Sequence, residues 1–220
     1  MRRPPPSAGA PPTPRPALGA RSGQARPLRR TPRALVRPPR QPHTIPRAAD
    51  DTAVFTQLVA ADGYDIRLLD AHAAVETAYE NRGDGIERLA RYFDGTNADG
   101  VRYASTQPLF MWHGGPSKLM RLRVGRPADG SSPSPGPPPA PLSDAGVSLT
   151  VAGGHAVAVI TVPEQNVTPS VAASYLAALQ AALARDGVSV SDPGVFGVAQ
   201  YGPLYSLADR HNEILVQVAV

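Results

Sequence analysis

The chain has no cysteine among its 220 residues. That excludes disulfides, thiolate metal sites, thioether-linked cofactors and a cysteine nucleophile together. Acidic residues are missing more locally: residues 1–49 contain 11 Arg and no Lys, Asp or Glu. All 18 acids therefore fall in the remainder, against the other 11 bases, so the body carries a net charge of −7 beneath the formal +4 of the whole. The overall basicity belongs to the leading segment, and an acidic body argues against nucleic acid as a partner. No run of about 18 apolar residues is present to cross a membrane as a helix. The leading segment also lacks the roughly 7–15-residue apolar core of a secretory signal. Phosphate loops and nucleophile elbows are missing too. The five histidines, at 43, 72, 113, 155 and 211, include no pair at metal-ligand spacing.

What the leading segment does contain is proline, 13 of the chain's 26, together with Arg and Ala. Each proline removes a backbone donor and blocks regular structure. An Arg-rich, acid-free stretch of this kind reads as an organellar transit peptide. Its prolines oppose the amphipathic helix of a mitochondrial presequence, which favours a chloroplast destination over a mitochondrial or cytoplasmic one. Cleavage is expected near Ala48 or Ala49, leaving a body of residues 50–220. The competing reading is a permanent disordered tail that binds RNA or proline-recognising domains. A second Pro/Gly/Ser-rich stretch, Pro127 to Pro141, reads as a long disordered loop that divides the body.

The two pieces on either side of that loop look alike. Tyr64–Leu69 followed by His72–Thr77 reads as two strands, and Val147–Val151 followed by His155–Ile160 repeats them after a Gly153-Gly154 turn. A helix follows each pair. The first is expected from an Asp84 cap, with Glu87 closing a capping box, to Gly95. The second is expected from Thr168-Pro169 to Gly187. Gln107–Phe110 then answers Gly202–Tyr205, and Leu119–Val124 answers Ile214–Val220. A duplicated strand–strand–helix–strand–strand unit predicts an α+β fold. Two four-stranded sheets with one helix each would close into a distorted antiparallel β-barrel flanked by two helices, with a ligand-sized groove between the halves.

The residues also carry a resemblance. Leu89–Asn97 with Thr106-Gln107-Pro108-Leu109 resembles the helix, Gly-Thr-Asn turn and Met-Thr-x-Pro-Val strand of the SOUL haem-binding family. Ala199–Leu204 with Arg210–Ile214 is similar to that family's Ala-Gly-Tyr-x-x-Pro and Arg-Asn-Glu-Val-Trp ending, and Tyr64–Arg67 to its Tyr-Glu-Ile-Arg opening. The matches run in order from Tyr64 to Val218. The resemblance implies a non-covalent cleft for haem or another tetrapyrrole, serving carriage or buffering rather than catalysis. It places Ile86, Ala90 and Arg91 on the helix side and Leu204, Tyr205 and Ser206 on the loop side. Arg88 and Arg91, flanking the helix's apolar stripe, suit a ligand carboxylate. An axial histidine that some members carry in the opening strand is Leu68 here, so no metal ligand is expected and binding should rest on the ring. His72 is the first residue to suspect if iron is ligated after all.

Two alternatives remain open at this level. One is a scaffold or lipid-body-associated protein that keeps the fold without a ligand. The other is a small-molecule hydrolase using Glu213. Peripheral attachment to a membrane or plastoglobule, and import machinery as a partner of residues 1–49, are compatible with each.

Overall fold

A computed structural model of the chain describes residues 55–132, 136–202 and 210–219. It contains nine strands and two helices: β1 Phe55–Ala60, β2 Asp65–Leu69, β3 His72–Ala78, α1 Arg82–Phe93, β4 Leu109–His113, β5 Leu119–Arg123, β6 Ser148–Ala152, β7 Ala156–Val162, α2 Pro169–Arg185, β8 Phe196–Tyr201 and β9 His211–Gln217. All strands pair antiparallel in one sheet of order β1-β2-β7-β9-β8-β4-β5-β3-β6. The sheet curls into a half-barrel. The α+β class and the duplication hold. Instead of two sheets of four there is one of nine, because β4 and β8 join the halves through five residue pairs and β1 adds an edge outside the repeat.

Without β1 the order is a palindrome. The first unit supplies β2, β3, β4 and β5, the second β6, β7, β8 and β9, and exchanging the units maps the sheet onto itself. The pseudo-twofold axis therefore passes between β4 and β8. Consecutive strands do not pair: β2 is second and β3 eighth in the order, although only Asp70 and Ala71 separate them. β6 and β7 are likewise ninth and third. Links this short force the sheet to curl until its two ends meet.

Where they meet, the Gly153 turn lies on Asp70. A Cβ at Gly153 would sit 2.1 Å from the Asp70 carbonyl oxygen, and Gly153 has φ +80°. Backbone bonds from Leu69 N–H to His155 O and from Gly154 N–H to Leu69 O stitch the crossing together.

Both helices cover one face of the sheet. Ile86, Leu89, Tyr92 and Phe93 of α1 pack with Val75, Met111 and Met120; Leu179 and Leu183 of α2 pack with Ile66, Ala158 and Val216. The stripe predicted for the first helix is the buried one, but its cap is not Asp84. Asn81 caps it, its side-chain oxygen accepting from Gly83 N–H at 2.8 Å, and Asp84 lies in the first turn, where its charge favours the helix N-terminus. Thr168 caps α2 as expected, accepting from Val171 N–H. Gly95 and Gly187, both at positive φ, close the helices with paired backbone bonds to the last turn. The strand answering β4 is Phe196–Tyr201, not Gly202–Tyr205, of which 203–205 lie outside the described residues.

The Pro/Gly/Ser stretch is tied at its flanks. Tyr92 donates to Pro139 O at 2.8 Å, and Ala98 N–H to Ala140 O. Ala128 N–H donates to Arg102 O. The C-terminal end of α1 is thereby held against this segment.

Replacing Gly153 by Ala should destabilise the protein by at least about 3 kcal/mol, because positive φ and a backbone collision add. At Gly154 the nearest atom to an added Cβ is the Ala71 Cβ at 3.6 Å, so Gly154→Ala should cost only the φ strain, about 1 kcal/mol. Urea denaturation of the two variants measures the difference; equal losses would mean that the crossing is not a close contact.

Candidate functional site

Between the entries to the two helices, on the helix-covered face, the sheet leaves a cavity of about 280 Å³. It straddles the pseudo-twofold axis. Met111 of β4 and Val198 of β8, paired directly across that axis, form its apolar floor. Tyr79 and Arg82 close it from the α1 side, and Gln165 and Val167 from the segment that enters α2. Gln200, near the end of β8, and Arg210, just before β9, bound it as well.

The polar groups are unevenly satisfied. Asn212 spends its side-chain N–H on Glu164 O at 2.8 Å. Arg82 turns in from the first turn of α1 and donates to Gln200 Oε1 at 2.6 Å. Burial, and the positive charge of Arg210, lower the Arg82 pKa. Gln200 Nε2 is buried and has no acceptor among the described residues. His113 also lines the cavity. Its ring stacks on Phe196 at 5.0 Å and its Nε2 lies 3.5 Å from the Tyr79 hydroxyl. Burial, aided by nearby Lys118, holds the imidazole below its ordinary pKa, so it is neutral at pH 7.

The residues expected from sequence are placed otherwise. Ile86 is in the core, pressed on the sheet. Arg88 donates to Thr77 Oγ1 at 2.9 Å and to Ala78 O, bracing α1 against β3. Ala90 is half-buried, and Arg91 is exposed and paired with Glu87 one turn earlier. None of these four lines the cavity. Leu204, Tyr205 and Ser206 lie outside the described residues. His72 is at the strand crossing, its Nδ1 against Asp70 O at 2.8 Å, and His155 repeats the arrangement with Gly153 O at 3.0 Å. Sequence reasoning offered Arg82 as a second positive charge beside Arg91 but passed over Tyr79, His113 and Gln200 as lining residues. The recoverable signal was positional only in part: Tyr79 lies between β3 and α1, His113 ends β4 and Gln200 stands one residue from the end of β8. Among the described residues, no group of three or more His, Asp or Glu could hold a metal ion.

Glu213 occupies the opposite face, which no helix covers and which the curl of the sheet buries. Arg67 Nη1 donates to its Oε1 at 2.9 Å, the Tyr201 hydroxyl donates to Oε2 at 3.0 Å, and His211 Nε2 is 3.3 Å away. Arg67 reaches Asp65 as well and lies 4.6 Å from the Phe55 ring centroid. Burial alone would raise the carboxyl pKa, but the His211 and Arg67 contacts outweigh it and hold it below the ordinary value. A carboxylate so engaged is a structural ion-pair partner rather than a free base for hydrolysis.

The fold and cavity thus define a duplicated half-barrel with a small cavity on its internal axis. A family model for the SOUL heme-binding protein family matches residues 50–217. The chain belongs to that family, a family of binding proteins. No curated protein matches it. Among solved structures, a hydrolase encoded by lin2189 from Listeria innocua is similar with 12% identity and a TM-score of 0.47, over 71% of this chain and 91% of that one. The EcmrR C-terminal domain is similar with 9% identity and a TM-score of 0.49, over 71% and 96%.

Glu213→Leu should destabilise by about 3–5 kcal/mol, because it leaves the buried Arg67 guanidinium with only the part-exposed Asp65 as counter-charge and the Tyr201 hydroxyl without its acceptor. The double replacement Arg67→Met/Glu213→Leu should recover most of the loss. Because the Glu213 pKa is lower folded than unfolded, its contribution is present above about pH 4.5 and is lost as pH falls through the folded value. Urea midpoints between pH 6 and 3 test this. A double variant no more stable than Glu213→Leu would show that the pair is not an isolated charge couple.

Proposed function

We propose that the chain binds haem or a related tetrapyrrole non-covalently and acts as its carrier or buffer. The observation that carries this reading is the cavity on the axis of a SOUL-family fold, apolar at Met111, Val167 and Val198 and cationic at Arg82 and Arg210. A tetrapyrrole is a flat apolar ring with carboxylates on one edge, and that division of surface suits the cavity's division of lining. At about 280 Å³ the cavity falls just below the roughly 300–1,000 Å³ range of ligand pockets. It fits the carboxylate-bearing edge, with the ring reaching out across the entry. Bound haem would bring a redox-active iron; the chain's own residues supply orientation and apolar contact.

Apolar contact acts on haem and on metal-free protoporphyrin alike. The two should bind one-to-one within about tenfold of each other, a difference of at most ~1.4 kcal/mol, as read by absorbance and by quenching of Trp112. His113 is the imidazole to test against this. A haem preference beyond a hundredfold that disappears in His113→Ala would replace ring recognition by iron ligation. No saturable binding of either compound would favour a scaffold that keeps the fold alone.

We also propose that this role is exercised in the plastid, supported by the Arg- and Pro-rich, acid-free composition of residues 1–49. A fluorescent reporter carrying those residues should accumulate in chloroplasts of a plant or algal cell. Cytosolic or mitochondrial accumulation would overturn the placement.

A further inference from the structure

We propose that the Gln200 side-chain amide and the Arg82 guanidinium, facing each other across the internal axis, form a fixed receptor for a carboxylate group. The inference deepens the tetrapyrrole reading by naming the group recognised, and it survives that reading if the carboxylate comes from a smaller molecule.

The argument begins with an amide that cannot turn round. Arg82 can only donate, and it donates to Gln200 Oε1 at 2.6 Å, so the Gln200 oxygen is committed to the guanidinium and Nε2 points elsewhere. Gln200 is 5% exposed, and that Nε2 has no acceptor among the described residues. A buried amide donor without a partner is destabilising. The nitrogen is shut off from water in the free protein, so an acceptor entering the cavity that Gln200 lines removes this cost once the surrounding side chains yield slightly.

The surrounding charge selects the kind of acceptor. Burial and Arg210 both disfavour the charged form of Arg82, so a negative group placed beside the guanidinium is favoured. Glu80, the acid among the lining residues, does not fill that place: its side chain is 91% exposed and lies 3.8 Å from Lys118 Nζ. Asn212, the neighbouring amide, is already spent on backbone oxygens. A carboxylate has two oxygens in one plane, one for the amide N–H and one for the remaining guanidinium N–H groups.

The test uses the full chain and three probes: protoporphyrin, its dimethyl ester, and glutarate. The free acid should bind at least tenfold more tightly than the ester, and glutarate should bind one-to-one, more weakly. Gln200→Glu, nearly isosteric, places a carboxylate where the receptor needs a donor. It should collapse the acid-over-ester preference to about unity and abolish glutarate binding. Arg82→Gln, on an exposed helix turn, should give a partial loss in both measurements. Thermal melts establish that each variant is folded, and Arg82→Gln decides the matter if Gln200→Glu is not.

Equal binding of acid and ester by the unaltered chain, with no glutarate binding, would overturn the receptor and leave the tetrapyrrole reading standing. Gln200-dependent binding of glutarate with no binding of either porphyrin would do the reverse, making the ligand a small carboxylate. Failure of all three probes would overturn both.

Discussion

The architecture depends on the contact between Asp70 and Gly153, where two strands bend past each other with no room for a side chain. Two-residue continuity from β2 to β3 would ordinarily make a hairpin. Here the strands continue away from each other, each joining a different end of the same sheet. Such a path is available only if a second bent strand pair crosses it, and the duplicated unit supplies one in β6 and β7. The palindromic strand order, the curl and the axis between β4 and β8 follow from that one crossing. So does the position of the cavity. Each helix begins after the strand leaving the crossing, which brings the two helix entries to the same face near the axis.

The two faces treat polar groups in opposite ways. On the curled inner face, Arg67, Glu213, Tyr201 and Asp65 bond one another, and Arg67 Nε alone is left without a partner among their described atoms. Desolvation of those charges is offset by direct bonds, and the cluster holds β2, β8 and β9 together. On the helix-covered face, Gln200 keeps a donor unspent and Arg82 keeps a positive charge partly withdrawn from water. Both features cost stability in the free protein. Groups left in that condition beside a cavity are those that gain most when a complementary ligand arrives, whereas the Glu213 cluster would lose bonds by admitting one.

Much of this was legible in the residues. The repeat, both helices with their Gly95 and Gly187 ends, and the Thr168 cap follow from local pattern and turn chemistry. Asn81 was missed as the first cap because Asp84 and Glu87 imitate a capping box one turn later, and both signals satisfy the same local rule. The single nine-stranded sheet was not legible, since the periodicity of β4 and β8 shows that each has a buried face but not that they pair. The site was less legible still. Arg88 and Arg91 looked like ligand contacts by their position beside an apolar stripe, yet Arg88 reaches back to Thr77 and Ala78, and Arg91 is matched by Glu87. Side-chain reach decides such cases, and spacing along a helix does not encode it.

Duplication explains where a cavity forms but not what it recognises. His72 and His155 show what the repeat preserves: two equivalent turns, each with its imidazole Nδ1 against the carbonyl two residues back. Arg82 and Gln200 are different in kind. They come from opposite units, the first from the start of α1 and the second from β8, and β8 pairs Gln200 with Leu109 of β4. With the axis at the Met111–Val198 pair, the position equivalent to Gln200 is His113 of β4. An amide therefore lines the cavity from one unit where the other unit supplies an imidazole stacked on Phe196. That difference between equivalent positions is one the duplication did not impose, and it gives the two sides of the cavity different hydrogen-bonding chemistry.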